Sequence, residues 1–246
     1  MIAHPGLLRR SIAALAPVKL RSWASFSTPQ HRVSPLKVER TCRAVARETD
    51  SGLLQRLLHA TPGTGGMSSS EFNHRLRTAV LRAMHLGLAE RAGLRILDVG
   101  CGAGFFVAVA KHLQHDCVGS DVPSERLPAE VANTYDTCLR ALGCYEQRRA
   151  LTIRPYVPAP LAESFDLITA GLICFNEYPS GATWSRPEWE FFLDDITRHL
   201  RTGGRLYLEF NEHRHYGRLR WYDGPTRALL SSAGVLTGNK FLFVAR

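Results

Sequence analysis

Three glycines stand at alternate positions directly after a short apolar run that ends in an acid, in the stretch ILDVGCGAGFF of residues 96–106. Glycine turns tightly and allows another molecule to lie against bare backbone. A helix that begins after such a loop points unpaired N–H groups at anionic or electron-rich ligands. The acid, Asp98, and the glycines Gly100, Gly102 and Gly104 therefore predict a loop that binds a small ligand.

A second carboxylate, Asp121, ends the apolar run DCVGSD further along the chain. A carboxylate at the tip of a neighbouring strand can accept both hydrogen bonds from a ribose diol, so the pair of features indicates a nucleotide-type ligand. A dinucleotide is disfavoured. Its G-x-G-x-x-G fingerprint needs a third glycine at residue 105, where this chain has Phe105.

Strand-like and helical patterns alternate from residue 95 onwards. The runs RILDV, DCVGSD, ALTIRPYV, FDLITAGL and GRLYLEF are typical of strands, and FFVAVAKHL, PAEVANTYDTCLRALG and PEWEFFLDDITRHL are typical of helices. This alternation predicts right-handed crossovers and a parallel sheet with helices on both faces. The predicted fold is a Rossmann-like, doubly wound α/β fold, with the ligand beyond the carboxyl ends of the strands.

Two helical patterns precede this sheet. A single helix is predicted over RAVARETDSGLLQRLLHA, residues 43–60, and a second over FNHRLRTAVLRAMHLGLAERAG, residues 72–93, with a start at serines 68–70. At the other end of the chain, DGPTRALLSSAG predicts a capped helix. The run VLTGNKFLFV then leaves room for only a short strand before the last one.

The glycine loop, the acid Asp121, FDLITAGL and LRTGGRLYLEF follow one another at intervals that resemble those of the class I S-adenosylmethionine-dependent methyltransferases. The resemblance covers residues 69–246. It implies a mostly parallel seven-stranded sheet, S-adenosylmethionine as the cofactor, and methyl transfer as the reaction. The cofactor-binding residues that it implies are Asp98, Gly100, Cys101, Gly102, Gly104, Asp121 and Ala170.

The resemblance also implies a role for each of these residues. Gly100, Gly102 and the backbone around Cys101 cradle the methionine part of the cofactor, and Asp98 orients its ammonium. Asp121 binds the ribose hydroxyls, and Ala170 lines the floor of the site. The simpler alternatives are that Asp98 caps the loop amides, that Asp121 is a strand-end turn residue, and that Cys101 fills space.

One feature departs from the family pattern. Many members carry an acid after the third strand that holds the adenine amine, whereas this chain has RPYVPAPLAESFD, with Tyr156 and Val157 near the expected place. Without that acid, adenine is held by backbone and apolar contacts. The departure leaves open an alternative function, a catalytically inactive methyltransferase-like binding or assembly protein.

The methyl acceptor is expected to meet the aromatic segment after the fourth strand. The segment ICFNEYPSGATWSRPEWEFF supplies the substrate-binding candidates Asn176, Tyr178 and Trp184. A [DNS]-P-P-[FWY] tetrapeptide would resemble the amino-directed nucleic-acid methyltransferases. The segment has none, so a small-molecule acceptor is favoured over nucleic acid. A general base is optional when positioning dominates the catalysis. The weak candidates for that base are Glu177, His213 and His215.

Composition excludes several other classes of function. The six cysteines form no C-x-x-C pair, and the H-x-H at His213 and His215 has no clear third ligand, so no metal site is predicted. No run approaches the roughly 18 apolar residues of a membrane span. The oligomeric state has no sequence signal.

The net charge of +9 is concentrated at the N-terminus, where residues 1–38 carry six basic residues and no acid. This composition fits either a disordered extension of a cytoplasmic protein or a transit peptide for the mitochondrial matrix. An RNA-directed methyltransferase that uses the basic arm is a third function left open. The predicted organisation is an extension over 1–38, a helical lead-in over 39–68, and a methyltransferase domain over 69–246.

Overall fold

A computed structural model describes residues 33–60, 66–173, 183–211, 213–215, 218–220 and 222–245. The chain divides into two compact units, with the boundary between Thr152 and Ile153. Among the described residues, no helix combines the length and the apolar character needed to cross a bilayer.

The N-terminal unit contains five α-helices and three strands within its described residues. The helices are α1 (Pro35–Glu48), α2 (Ser51–His59), α3 (Ser69–His85), α4 (Phe105–His112) and α5 (Ala129–Ala141). The strands are β1 (Arg95–Val99), β2 (Asp116–Asp121) and β3 (Arg148–Ala150). The three strands are parallel, and their register sets Asp98 beside Gly119 and Asp121 beside Ala150.

The C-terminal unit holds the remaining elements. They are β4 (Phe165–Ile173), α6 (Arg186–Thr197), β5 (Leu200–Phe210), β6 (His213–His215), β7 (Arg218–Arg220), α7 (Gly224–Ala233), β8 (Val235–Thr237) and β9 (Lys240–Val244). Strand β4 is parallel to β5, and β9 runs antiparallel to both β5 and β8. Strands β6 and β7 form a separate two-stranded sheet.

Seven strands form one sheet, in the order β3-β2-β1-β4-β5-β9-β8. The prediction of a mostly parallel seven-stranded α/β sheet is confirmed, as is the short β8. Strand order reverses next to β1, the position at which open α/β sheets bind ligands. The segment that follows β1 is the glycine loop, defined from here on as residues 100–104.

The N-terminal helices differ from the sequence prediction. The single helix expected over 43–60 is wrong, because Asp50 accepts a hydrogen bond from the Leu53 N–H at 2.9 Å and starts a new helix, α2. Helix α1 begins at Pro35, earlier than the predicted lead-in, and Val38 is buried. The Asp50 N–H donates to the Ala141 carbonyl at 2.8 Å, so the lead-in belongs to the same compact unit as the glycine loop.

The third strand is shorter than predicted. The run ALTIRPYV was expected to be a strand, yet β3 ends at Ala150 and only an isolated bridge joins Arg154 to Val157. Pro155 lacks an N–H, and Tyr156 has a φ of 60°. Neither residue can continue a β-ladder, so a strand that extends through Val157 is excluded by backbone chemistry.

A buried histidine fixes the backbone that leads into β1. The ring of His115 lies in the core, where its Nδ1 accepts a hydrogen bond from the Leu94 N–H at 3.2 Å. Its Nε2 lies 3.0 Å from the Leu88 carbonyl oxygen and donates to it, since Nδ1 is already the acceptor. His115 therefore satisfies two backbone groups that are 21 and 27 residues away.

Candidate cofactor site

The glycine loop is a left-handed backbone turn that is fastened to β2. Gly100, Gly102 and Gly104 have φ values of 70°, 51° and 80°, a region in which side chains are strained. The N–H groups of Gly100 and Cys101 both donate to the Ser120 carbonyl, at 2.7 and 3.0 Å. This geometry explains why the sequence places glycine at alternate positions.

Most of the loop amides are already used within the protein. Besides the two that bond Ser120, the Gly102 N–H donates to Asp121 Oδ2 at 2.6 Å and the Gly104 N–H donates to the Cys101 carbonyl at 2.9 Å. Four of the five amides in residues 100–104 therefore have acceptors. The loop offers a ligand its shape and the half-buried backbone of Gly100 and Gly102 rather than a set of vacant donors.

Gly104 also has a packing role. A Cβ at residue 104 would lie 2.9 Å from the Cys144 Sγ and closer still to the Leu139 side chain of α5. The close approach of α5 therefore requires glycine at this position. Contact between Gly104 and the cofactor stays a prediction.

Cys101 fills space beneath the loop. A Cβ at Gly119 of β2 would lie 2.6 Å from the Cys101 Sγ, so the missing side chain of Gly119 makes room for this cysteine. Cys101 is buried. Burial is the main cause that raises the pKa of its thiol well above the usual value, so the thiolate is disfavoured. The sequence pattern gave no indication that Gly119 belongs to the site.

Asp98 is a buried carboxyl with an unsatisfied oxygen. Its side chain is 3% exposed, and its Oδ1 has no hydrogen-bond partner among the described residues. Burial raises its pKa to about 7, the charge of Arg82 opposes that rise, and the charge of Asp121 adds to it. A buried acceptor without a donor fits a ligand that brings a positively charged donor, as the ammonium of S-adenosylmethionine does.

Asp121 connects the loop to the segment that follows β2. Its Oδ2 accepts from the Gly102 N–H, and its Oδ1 accepts from the Val122 N–H at 2.8 Å. A carboxylate oxygen has two lone pairs, so each oxygen can accept one further hydrogen bond. The half-buried carboxylate therefore still fits a ribose diol. That role stays a prediction.

Arg148, the first residue of β3, supports the same segment and had no signal in the sequence. One of its guanidinium nitrogens donates to the Ser124 hydroxyl at 2.8 Å and to Asp136 at 3.1 Å, and the other donates to the Val122 carbonyl at 3.0 Å. Its side chain is 9% exposed. Arg148 therefore fixes the backbone that leaves Asp121.

The remaining predicted residues lie in the C-terminal unit or outside the described residues. Ala170 is fully buried in β4, beside Leu208 of β5. Trp184 is buried, with its ring 5.4 Å from Trp189 and 5.5 Å from Phe192, so its observed contacts are those of a packed aromatic cluster. Its substrate role stays a prediction.

The backbones of His213 and His215 lie in β6, opposite Arg220 and Arg218, and their side chains lie outside the described part. Asn176, Glu177 and Tyr178 are also outside the described residues. Within the described ranges, no group of histidine, cysteine and carboxylate side chains is arranged to hold a metal ion.

The strand order and the glycine loop after β1 define a mostly parallel α/β sheet with a candidate ligand-binding loop at the end of its first strand. Residues 97–208 match the family model described as a methyltransferase domain. The ubiquinone biosynthesis O-methyltransferase of Rhizobium rhizogenes is 29% identical over 116 residues, which are 47% of this chain and 40% of that protein. The matching segment thus spans less than half of this curated relative.

The chain is also similar to solved structures. Magnesium protoporphyrin IX methyltransferase from Synechocystis, with bound S-adenosylmethionine, has 16% identity and a TM-score of 0.46, over 84% of this chain and 97% of that one. An amino pentose methyltransferase from Micromonospora echinaspora has 19% identity and a TM-score of 0.45, over 73% of this chain and 98% of that one. Neither likeness supports an assignment of function, because both TM-scores are low.

The match over residues 97–208 includes Asp98, the glycine loop, Asp121 and Ala170. The family model thus covers 112 of the 246 residues, and this segment is similar to a methyltransferase domain.

Proposed function

We propose that this protein transfers a methyl group from S-adenosylmethionine to a small-molecule acceptor. The observation that carries the proposal is the buried Asp98 carboxyl, whose Oδ1 has no donor among the described residues and which lies at the entrance to a left-handed glycine loop. Asp121, at the tip of the adjacent strand, supplies a second carboxylate. The match of residues 97–208 to the methyltransferase-domain model also supports this function.

The proposed roles of the residues follow from their chemistry. Asp98 holds the ammonium, the glycine loop provides a surface for the methionine chain, and Asp121 binds the ribose hydroxyls. When bound, the cofactor supplies a methyl group on a positively charged sulfur. The protein contributes by holding donor and acceptor in line, an effect that can be worth about 7 to 11 kcal/mol when the geometry is good.

The reaction balances without a redox partner. A lone pair of the acceptor forms the new bond to the methyl carbon while the carbon–sulfur bond breaks, and its electron pair stays on sulfur. A hydroxyl acceptor also loses a proton, which goes to solvent or to a general base. Glu177, His213 and His215 remain our candidates for that base, and Asn176, Tyr178, Trp184 and Ala170 remain candidates for lining the site.

A small-molecule acceptor is supported by one relative. The curated relative is named for ubiquinone biosynthesis and for transfer to oxygen, and it aligns with the segment that contains the glycine loop. The compartment, cytoplasm or mitochondrial matrix, stays a prediction.

Calorimetric titration tests the cofactor proposal. The full chain should bind S-adenosylmethionine and S-adenosylhomocysteine, and absence of binding at about millimolar ligand would overturn the proposal. Transfer of a tritiated methyl group to fractionated cell extract then identifies the acceptor class. Binding without transfer to any fraction would favour the alternative of an inactive binding protein.

The RNA-directed alternative has its own test. A deletion of residues 1–32 removes five of the six basic residues of the predicted arm and spares α1, whose Val38 is buried. Our proposal is supported if the tritiated methyl group appears in the small-molecule fraction and the deletion variant transfers it at the same rate as the full chain. Label in RNA that depends on the deleted residues and on salt concentration contradicts it.

A further inference from the structure

Tyr135 covers the open face of Gly102. The residue lies on α5, one turn before Leu139, so both side chains project from the same face of that helix. Leu139 packs where a side chain at Gly104 would be. The Cζ of Tyr135 lies 3.6 Å, and its Cε2 and hydroxyl oxygen 3.7 Å, from the place that a Cβ of residue 102 would occupy. The phenol therefore faces bare backbone in the middle of the glycine loop.

The hydroxyl of Tyr135 is available as a donor. Among the described residues, none forms a hydrogen bond with it. Burial, and then the negative charge of Asp121, raise the pKa of this phenol above its usual value, while Arg75 and Arg148 oppose the rise. The phenol accordingly stays protonated at neutral pH and can donate a hydrogen bond to a ligand.

Two cations, Arg75 and Arg148, act on Tyr135 and partly offset the negative charge of Asp121. The two terminal nitrogens of the Arg148 guanidinium are occupied by Val122, Ser124 and Asp136. Arg75 of α3 is about half exposed and is held by Glu71 at 2.7 Å, and its charge is the one that most strongly favours the ionised phenol. A hydroxyl donor with a nearby cation is a suitable combination for a carboxylate.

The glycine loop cannot supply this group with most of its own amides. Four of the five N–H groups of residues 100–104 already donate to Ser120, Asp121 or Cys101. In the proposed function Asp98 takes the ammonium and Asp121 takes the ribose. The carboxylate of the methionine part is then the remaining anionic group without an assigned partner, and a side-chain donor close to the loop can serve it.

We propose that the Tyr135 hydroxyl donates a hydrogen bond to the carboxylate of the cofactor's methionine part, which makes Tyr135 a cofactor-binding residue. This inference rests on the proposed function. It assigns binding specificity for the amino-acid end of the cofactor to a helix outside the glycine loop.

The test compares two ligands on one conservative variant. Tyr135→Phe removes only the hydroxyl. Calorimetry should show about a tenfold loss of affinity for S-adenosylhomocysteine, as for one lost hydrogen bond to a charged group. Affinity for decarboxylated S-adenosylhomocysteine, which keeps the ammonium and the nucleoside, should change less than about twofold. The control is Tyr145→Phe, where the ring packs against Arg140, and it should change neither affinity.

Each other outcome has a defined meaning. Equal losses for both ligands would assign Tyr135 to packing, and no loss for either would remove it from the site. Both results would overturn the inference and leave the proposed function intact. If the wild-type chain binds neither ligand, the proposed function fails and this inference fails with it. Thermal unfolding without ligand confirms that Tyr135→Phe is folded.

Discussion

The carboxylate of Asp121 accepts a hydrogen bond from the Gly102 N–H across a distance of 2.6 Å, and so joins the tip of β2 to the middle of the glycine loop. Its second oxygen accepts from the Val122 N–H at 2.8 Å. Asp121 therefore shapes the loop before any ligand binds. If it also binds ribose, one side chain couples the two halves of the cofactor site.

Replacing Asp121 separates these two roles. In Asp121→Asn the side-chain amide N–H faces the backbone N–H of either Gly102 or Val122, and two donors cannot bond each other. One charge-assisted hydrogen bond of the loop is therefore lost. Affinity for S-adenosylhomocysteine should fall about tenfold or more, and an analogue without the 2′ and 3′ hydroxyls should also bind more weakly to the variant. Calorimetry measures both. A loss confined to the ligand with hydroxyls would restrict Asp121 to the ribose.

The control for this experiment is Asp116→Asn. Asp116 is an exposed residue at the other end of β2, where it lies 3.4 Å from Arg95. Exposed pairs of this kind contribute little, so neither affinity should change.

Asp98 should make the ligand-free protein less stable as pH rises. Its pKa is raised by burial from 3.8 to about 7, so between these values the folded state keeps a proton that the unfolded state releases. The contribution of Asp98 to stability is therefore largest below about pH 4 and falls until about pH 7, by up to about 1.4 kcal/mol per pH unit. Asp98→Asn should remove that fall, as urea unfolding at pH 5 and pH 8 would show.

The same variant should bind S-adenosylhomocysteine more weakly, because a neutral amide cannot pair with its ammonium. In the wild type, pairing lowers the pKa of Asp98, so binding near pH 6.5 should release up to about one proton. Calorimetry in buffers of different ionisation enthalpy counts those protons. Unchanged proton release in Asp98→Asn would show that another group titrates.

Gly104 should be more sensitive to substitution than other left-handed glycines. Gly104→Ala combines a positive φ with a close approach to Leu139 and Cys144, and should cost about 2 to 4 kcal/mol of unfolding free energy. Gly93→Ala is the matched control, because its φ is 72° with nothing within 4 Å of the added Cβ, so the expected cost is about 1 kcal/mol. Urea unfolding measures both, and equal costs would contradict the packing role of Gly104.

Local chemistry explains which parts of this structure could be predicted from sequence. The left-handed turn at Gly100, Gly102 and Gly104 follows from residue type alone, and so does the helix start at Asp223, whose side chain accepts from the Thr226 N–H at 2.7 Å. The alternation of strand and helix patterns is also local, and it predicts a mostly parallel sheet.

Contacts between distant residues explain what could not be predicted. The bonds of Arg148 reach Ser124 and Asp136, which are 24 and 12 residues away, and no local pattern encodes them. The position of Tyr135 over Gly102 depends on how α5 packs. The run ALTIRPYV contains Pro155 and Tyr156, where an apolar pattern and backbone chemistry disagree, while the end of β3 at Ala150 has no explanation in the local sequence.

His115 should be among the most sensitive core residues of the N-terminal unit. His115→Leu keeps a buried side chain of similar size but leaves the Leu94 N–H and the Leu88 carbonyl without their present partners. Two unsatisfied buried backbone groups should cost about 2 to 5 kcal/mol of unfolding free energy. Urea unfolding at pH 7.5 measures the loss.

The control for His115 is His74→Leu, because His74 is exposed on α3 and should change the unfolding free energy by less than about 0.5 kcal/mol. A third variant, His115→Gln, keeps one donor and one acceptor on a flexible side chain and should recover part of the loss. Equal destabilisation by His115→Leu and His115→Gln would show that ring shape, rather than the two hydrogen bonds, determines the stability at this position.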